Sequence, residues 1–86
     1  MDTSQIGILT MINSIEVGDL ATIVALGGMQ PVMNRQGDLW SLTLEGASQV
    51  IQVNTRRGQA RYFKNPETAI KLLRSAGYTG YVHIQV

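Results

Sequence analysis

The sequence predicts an α+β domain: an N-terminal helical hairpin, an antiparallel β-meander, one packed helix and a C-terminal strand. Three observations carry this reading. Apolar residues recur at helical spacing before residue 28 and alternate with polar ones after residue 39. Asn65-Pro66-Glu67 opens a strongly patterned helix. Val82, Ile84 and Val86 then alternate with Tyr81, His83 and Gln85.

Taken in order, residues 4–15 read as the first helix, with Thr3 or Ser4 as cap and Ile8, Leu9, Ile12 and Ile15 as its stripe. Ile6 and Met11 widen that stripe, and Gly7 opposes it by about 1 kcal/mol relative to Ala. Asp19 is a candidate cap for a second helix through Leu20, Ile23, Val24 and Leu26, stopped by Gly27-Gly28. Residues 31–34 read as a short edge strand and 35–38 as the turn after it. Trp40, Leu42 and Leu44 mark a half-buried strand, and Ile51 and Val53 mark the next.

Thr55-Arg56-Arg57-Gly58 fits a three-residue hairpin loop in which Gly takes the left-handed position. Its register places Ile51 opposite Phe63 and Gln52 opposite Tyr62. In the helix over 65–76, Ala69, Ile70, Leu72, Leu73 and Ala76 form the buried stripe, and Gly77 ends it. Leu72 is expected to be the helix position least tolerant of a charge. Residues 1–28 thus form a helical part and 31–86 a meander–helix–strand part of one domain.

Composition narrows the function. The chain has 86 residues, 15% of them charged, no Cys and one His, which removes disulfide scaffolds, Cys-based zinc sites and His clusters. No apolar run approaches the roughly 18 residues of a membrane span. The first dozen residues carry Asp2 and no basic residue, which argues against a secretory signal. The expectation is a cytoplasmic protein without membrane contact. Each of the six acids has an ordinary place at a helix start, a turn or an exposed strand position. Phosphate loops and nucleophile elbows are absent. The sequence therefore predicts a binder rather than an enzyme, with no cofactor, metal or small-molecule substrate.

The net charge of +1 conceals an asymmetry. Residues 1–34 hold Asp2, Glu16 and Asp19 and no Lys or Arg, a formal −3. The remainder holds all seven bases against Asp38, Glu45 and Glu67, a formal +4. Arg56, Arg57, Arg61 and Lys64 are the densest group, and the interleaved Tyr62, Tyr81 and His83 add rings for stacking. These seven residues are the predicted contact set for nucleic acid or an acidic protein surface. Ile8, Leu9, Ile12 and Ile15 are the predicted contacts of a homodimer.

Residues 40–86 also resemble a known family. The run Leu39-Trp40-Ser41-Leu42-Thr43-Leu44, then Thr55-Arg56-Arg57-Gly58, Arg61-Tyr62-Phe63-Lys64 and the helix over 69–73 resemble small plasmid-borne ParC-family partition-associated proteins. The resemblance implies a non-enzymatic accessory protein of a mobile element, concerned with plasmid maintenance and partition, and transfers no catalytic residue. The alternative function is a protein inhibitor of a host defence system, of anti-CRISPR or anti-restriction type, that binds and blocks.

Overall fold

The computed structural model describes residues 11–85. In chain order it contains β1 (Met11–Glu16), a 3-10 turn (Val17–Asp19), α1 (Leu20–Leu26), β2 (Gln30–Gln36) and β3 (Leu39–Glu45). β4 (Gln49–Asn54), β5 (Tyr62–Phe63), α2 (Pro66–Ser75) and β6 (His83–Gln85) follow. The strands form one mixed sheet in the order β1-β4-β3-β2-β6, with β5 also paired to β3.

The centre of the sheet is the expected meander. β2 and β3 are antiparallel through the two-residue loop Gly37-Asp38, which sets Met33 opposite Leu42 and Arg35 opposite Trp40. β3 and β4 are antiparallel with Leu44 opposite Ile51. Trp40, Leu42, Leu44, Ile51 and Val53 are all buried, so the alternation read from the sequence marks the core face. β2 is not an edge strand: it lies between β3 and β6, the latter parallel to it with Ile84 opposite Met33. β6 is also shorter than its alternating pattern, because Tyr81 and Val82 precede it.

The N-terminal helical hairpin is corrected. Where the first helix was expected, residues 11–16 form β1, which runs parallel to β4 with Ile15 opposite Val53. β4 presents an outer backbone edge to be satisfied, and a strand satisfies it where a helix does not. Ile is β-branched and fits a pleated surface as readily as a helical stripe, so the apolar residues favour neither form decisively. Of the expected stripe, Ile15 is half-buried against the core, whereas Ile8 and Leu9 lie outside the described residues.

The expectation of one packed helix is corrected too. Leu20 from α1 and Ala69 and Leu73 from α2 belong to a single buried cluster with the strand residues, so both helices cover the same sheet face. Asp19 precedes α1 but makes no side-chain cap bond. Asn65 caps α2 as read, its Oδ1 accepting from the Thr68 N–H at 3.1 Å. Gly77, at φ +99°, ends α2: its N–H donates to the Arg74 carbonyl, and the Tyr78 N–H to that of Leu73. That is the paired closure of a Schellman motif.

Candidate functional site

The basic residues singled out in the sequence stand on two different structures. Arg56 and Arg57 occupy the tip of the loop after β4 and are exposed. The Gly58 N–H donates to the Thr55 carbonyl at 3.0 Å, and the Thr55 N–H to the Gln59 carbonyl at 2.7 Å. Gly58 sits at φ +83°, the position the loop type requires of a glycine. Asn54 bridges Ala60, so the loop has the register the sequence implied at its mouth. Arg56 shares a polar hollow of about 270 Å³ with Ser14, Glu16, Asp19 and Asn54. Glu16 and Asp19 thus line the same hollow as Arg56, and their charge opposes the approach of an anion there.

Beyond Arg61, whose N–H donates to the Val53 carbonyl at 3.0 Å, the hairpin does not continue. Tyr62 and Phe63 leave β4 and pair with Ser41 and Trp40 of β3, instead of with Gln52 and Ile51. β4 covers only Thr43–Glu45 of β3, which leaves the edge of Trp40 and Ser41 open to another strand. Phe63 then comes down beside Trp40 on the core face, and it is buried.

This switch builds a corner. Across β2, β3 and β5 on the helix-bearing face stand Arg35, Trp40 and Phe63 in one row. The Arg35 guanidinium lies 5.5 Å from the Trp40 ring centre, and that of Arg61 lies 4.7 Å from the Phe63 ring centre. Both distances are within cation–π range. Arg35 Nε also donates to the Gly37 carbonyl at 2.9 Å, and Arg61 Nη1 to the Tyr62 carbonyl at 3.0 Å. Each guanidinium is thus oriented by a ring and a backbone acceptor, with donors left over for a ligand.

Along the outer side of β5 an open groove of about 450 Å³ is lined by Leu39, Arg61, Tyr62, Phe63, Lys64 and the start of α2. Tyr62 is 45% exposed there. Asn65 Oδ1 is already engaged by the Thr68 N–H and hydroxyl, both at 3.1 Å, so its role is to hold α2 in place.

Tyr81 and His83 are elsewhere. His83 lies on β6, opposite Val32 of β2, at the far edge of the sheet from β5. Three inter-strand steps, roughly 14 Å, separate β6 from β5. Tyr81 is 90% exposed outside any strand, and its carbonyl accepts from Gln30 Nε2 at 2.9 Å and from the Tyr78 hydroxyl. Between Tyr62 and His83 the sheet face away from the helices carries Glu45 beside amide and hydroxyl side chains that bond one another. Asn34 Nδ2 donates to Thr43 Oγ1 at 3.0 Å, and Gln52 Nε2 to Asn54 Oδ1 at 2.8 Å. Among the described strand residues that face bears no Lys or Arg.

The structure therefore brings Arg61, Tyr62 and Lys64 together and separates them from Arg56, Tyr81 and His83. It adds Leu39 to the groove and sets Arg35, expected in a turn, against Trp40 on the neighbouring strand. The signal for Arg35 was present: a two-residue Gly37-Asp38 loop puts it directly across from Trp40. Among the described residues no helix is long and apolar enough to cross a membrane. Compared with protein-family models, with curated proteins and with solved structures, the chain has no match in any of the three.

Proposed function

We propose that the chain is a non-catalytic binding module whose β5–α2 corner holds single-stranded nucleic acid. The observation that supports this most is the Arg61 guanidinium held 4.7 Å from the Phe63 ring centre in a groove shared with exposed Tyr62 and Lys64. A single strand offers phosphates to the two cations and a base face to the Tyr62 ring. The resemblance to partition-associated proteins agrees with such a role as an accessory in plasmid maintenance. With a net charge of only +1, long-range attraction is small, and affinity has to come from these local contacts.

Fluorescence anisotropy with a labelled oligothymidine strand tests the reading. Tyr62→Ala costs about 1–3 kcal/mol of binding if a base stacks on the ring. Arg61→Ala and Lys64→Ala each flatten the salt dependence by about 0.7 log units per lost phosphate contact. Arg56→Ala has the smaller effect, because Glu16 and Asp19 already neighbour that side chain. No binding at low salt, or unchanged affinity in the Tyr62 and Arg61 variants, refutes the nucleic-acid reading. A protein partner that is lost with Arg61 but retained with Tyr62→Ala replaces it with an acidic-surface contact.

A further inference from the structure

We infer that this corner also chooses between bases: next to the base stacked on Tyr62, Asn34 and Gln85 take a second base that carries an exocyclic amine, adenine or cytosine, in preference to thymine. The inference rests on the nucleic-acid reading and gives it a specificity. Strand register puts the residues in line. Tyr62 pairs with Ser41, Ser41 with Asn34 and Asn34 with Gln85, so one cross-strand row runs over β5, β3, β2 and β6. Ser41 alternates with buried Trp40 and Leu42, so the row points away from the helices.

The row is continuous with the groove at β5. Leu39 lines that groove, and its cross-strand partner Gln36 lines a second open hollow of about 260 Å³ with Asn34, Arg35 and Gln85. A single strand held in the groove therefore reaches the hollow by crossing one residue pair. Charge favours that course. Arg61 and Lys64 border one end of it and Arg35 the other, against Asp38 in the loop between β2 and β3. Glu45 stands at the opposite end of β3, away from this path.

The choice of base follows from which atoms are left over. Asn34 Nδ2 donates to Thr43 Oγ1 at 3.0 Å and to the Val32 carbonyl at 3.4 Å. A carbonyl can only accept, so the amide nitrogen is the atom turned inward. Asn34 Oδ1 is then presented as an acceptor with no partner among the described residues. Gln85 beside it is exposed, and its amide offers an acceptor and donors together. Such an amide pairs with an amine that adjoins a bare ring nitrogen, the edge adenine presents and cytosine shares. An amine has two hydrogens, so it can serve Gln85 and Asn34 Oδ1 at once. Thymine has a carbonyl oxygen in that place and sets it against Asn34 Oδ1, acceptor to acceptor.

Fluorescence anisotropy of the full chain tests this with oligothymidine strands of about six nucleotides, in which one position at a time is deoxyadenosine or deoxycytidine. At one position each replacement is expected to tighten binding about tenfold, the worth of one good base contact. Gln85→Ala and Asn34→Ala should each remove that gain and leave the affinity for plain oligothymidine unchanged. Should Asn34→Ala fail to fold, Gln85→Ala at its exposed position carries the test. Equal affinity for all strands, lowered in common by Tyr62→Ala, overturns the base choice and leaves the nucleic-acid reading standing. A gain with deoxyadenosine alone reports ring size instead of the amine and overturns the inference, as does a gain that survives both variants. A chain that binds none of the strands overturns both readings.

Discussion

The two helices cover the same face of the sheet and are held there by opposite means. α2 is specified by its own ends. Pro66 stands in its first turn, Asn65 caps it, Glu67 and Arg74 suit the two poles of its dipole, and a Schellman closure follows Ser75. α1 has no side-chain cap and no charge, and its one fully buried residue is Leu20. A seven-residue helix without a cap is marginal by itself, so α1 exists because Leu20 is gripped by the core and because β1 delivers the chain to it. Local signals suffice for one helix, and tertiary contact is required for the other.

The largest effect that probes this contrast is Leu73→Asp. Leu73 is wholly buried, and an unpaired carboxylate there costs several kcal/mol, comparable to the total stability of a domain this small. Chemical denaturation is expected to find no cooperative transition. Leu73, and not Leu72, is the sensitive position, because Leu72 is only partly buried at the rim of the core. A Leu73→Asp protein that still melts cooperatively would mean that α2 is not held by its buried stripe.

Next in size is Leu20→Ala, expected to cost about 2–5 kcal/mol as a buried large-to-small change. If α1 depends on that single anchor, its amides lose hydrogen-exchange protection ahead of those in α2. Equal loss of protection in both helices would erase the distinction between them.

The smallest pair concerns the caps. Asn65→Ala removes a bond to the Thr68 N–H and should cost about 1 kcal/mol by urea denaturation. Asp19→Ala removes no cap bond and should fall within about 0.5 kcal/mol of zero. A larger loss at Asp19 than at Asn65 would reverse the assignment of which helix is locally specified.

The same division runs through the candidate site. The Thr55–Gln59 loop was legible because turn chemistry is local: Gly58 supplies the positive φ, and the residues around it close the loop. The placement of Tyr62 and Phe63 was not legible. Pairing with Ile51 and pairing with Trp40 both keep Phe63 on the apolar face, so the side-chain pattern cannot choose between them. The choice followed from the uncovered edge of β3 at Trp40 and Ser41, a fact about three strands at once. With it went the distribution of charge: Arg61 came to Phe63 and Arg35 to Trp40, while Arg56 shares a hollow with Glu16 and Asp19.

By itself the sequence determined the α2 helix with its cap and its stop, the alternation of β3 and β4, the tight loops between strands, and the apolar residues of the sheet's core face. These depend on residues within a few positions of each other, where propensity and periodicity act directly. Only the tertiary structure decided that Met11–Glu16 is a strand, that β2 is interior, and that β5 changes partners. β1 and β6 join the sheet through parallel pairings, Met11 with Gln49 and Val32 with His83, across long stretches of chain. Such contacts leave no mark in a local window. A β-branched apolar segment takes whichever form satisfies its backbone, and here the unpaired edge of β4 decided it.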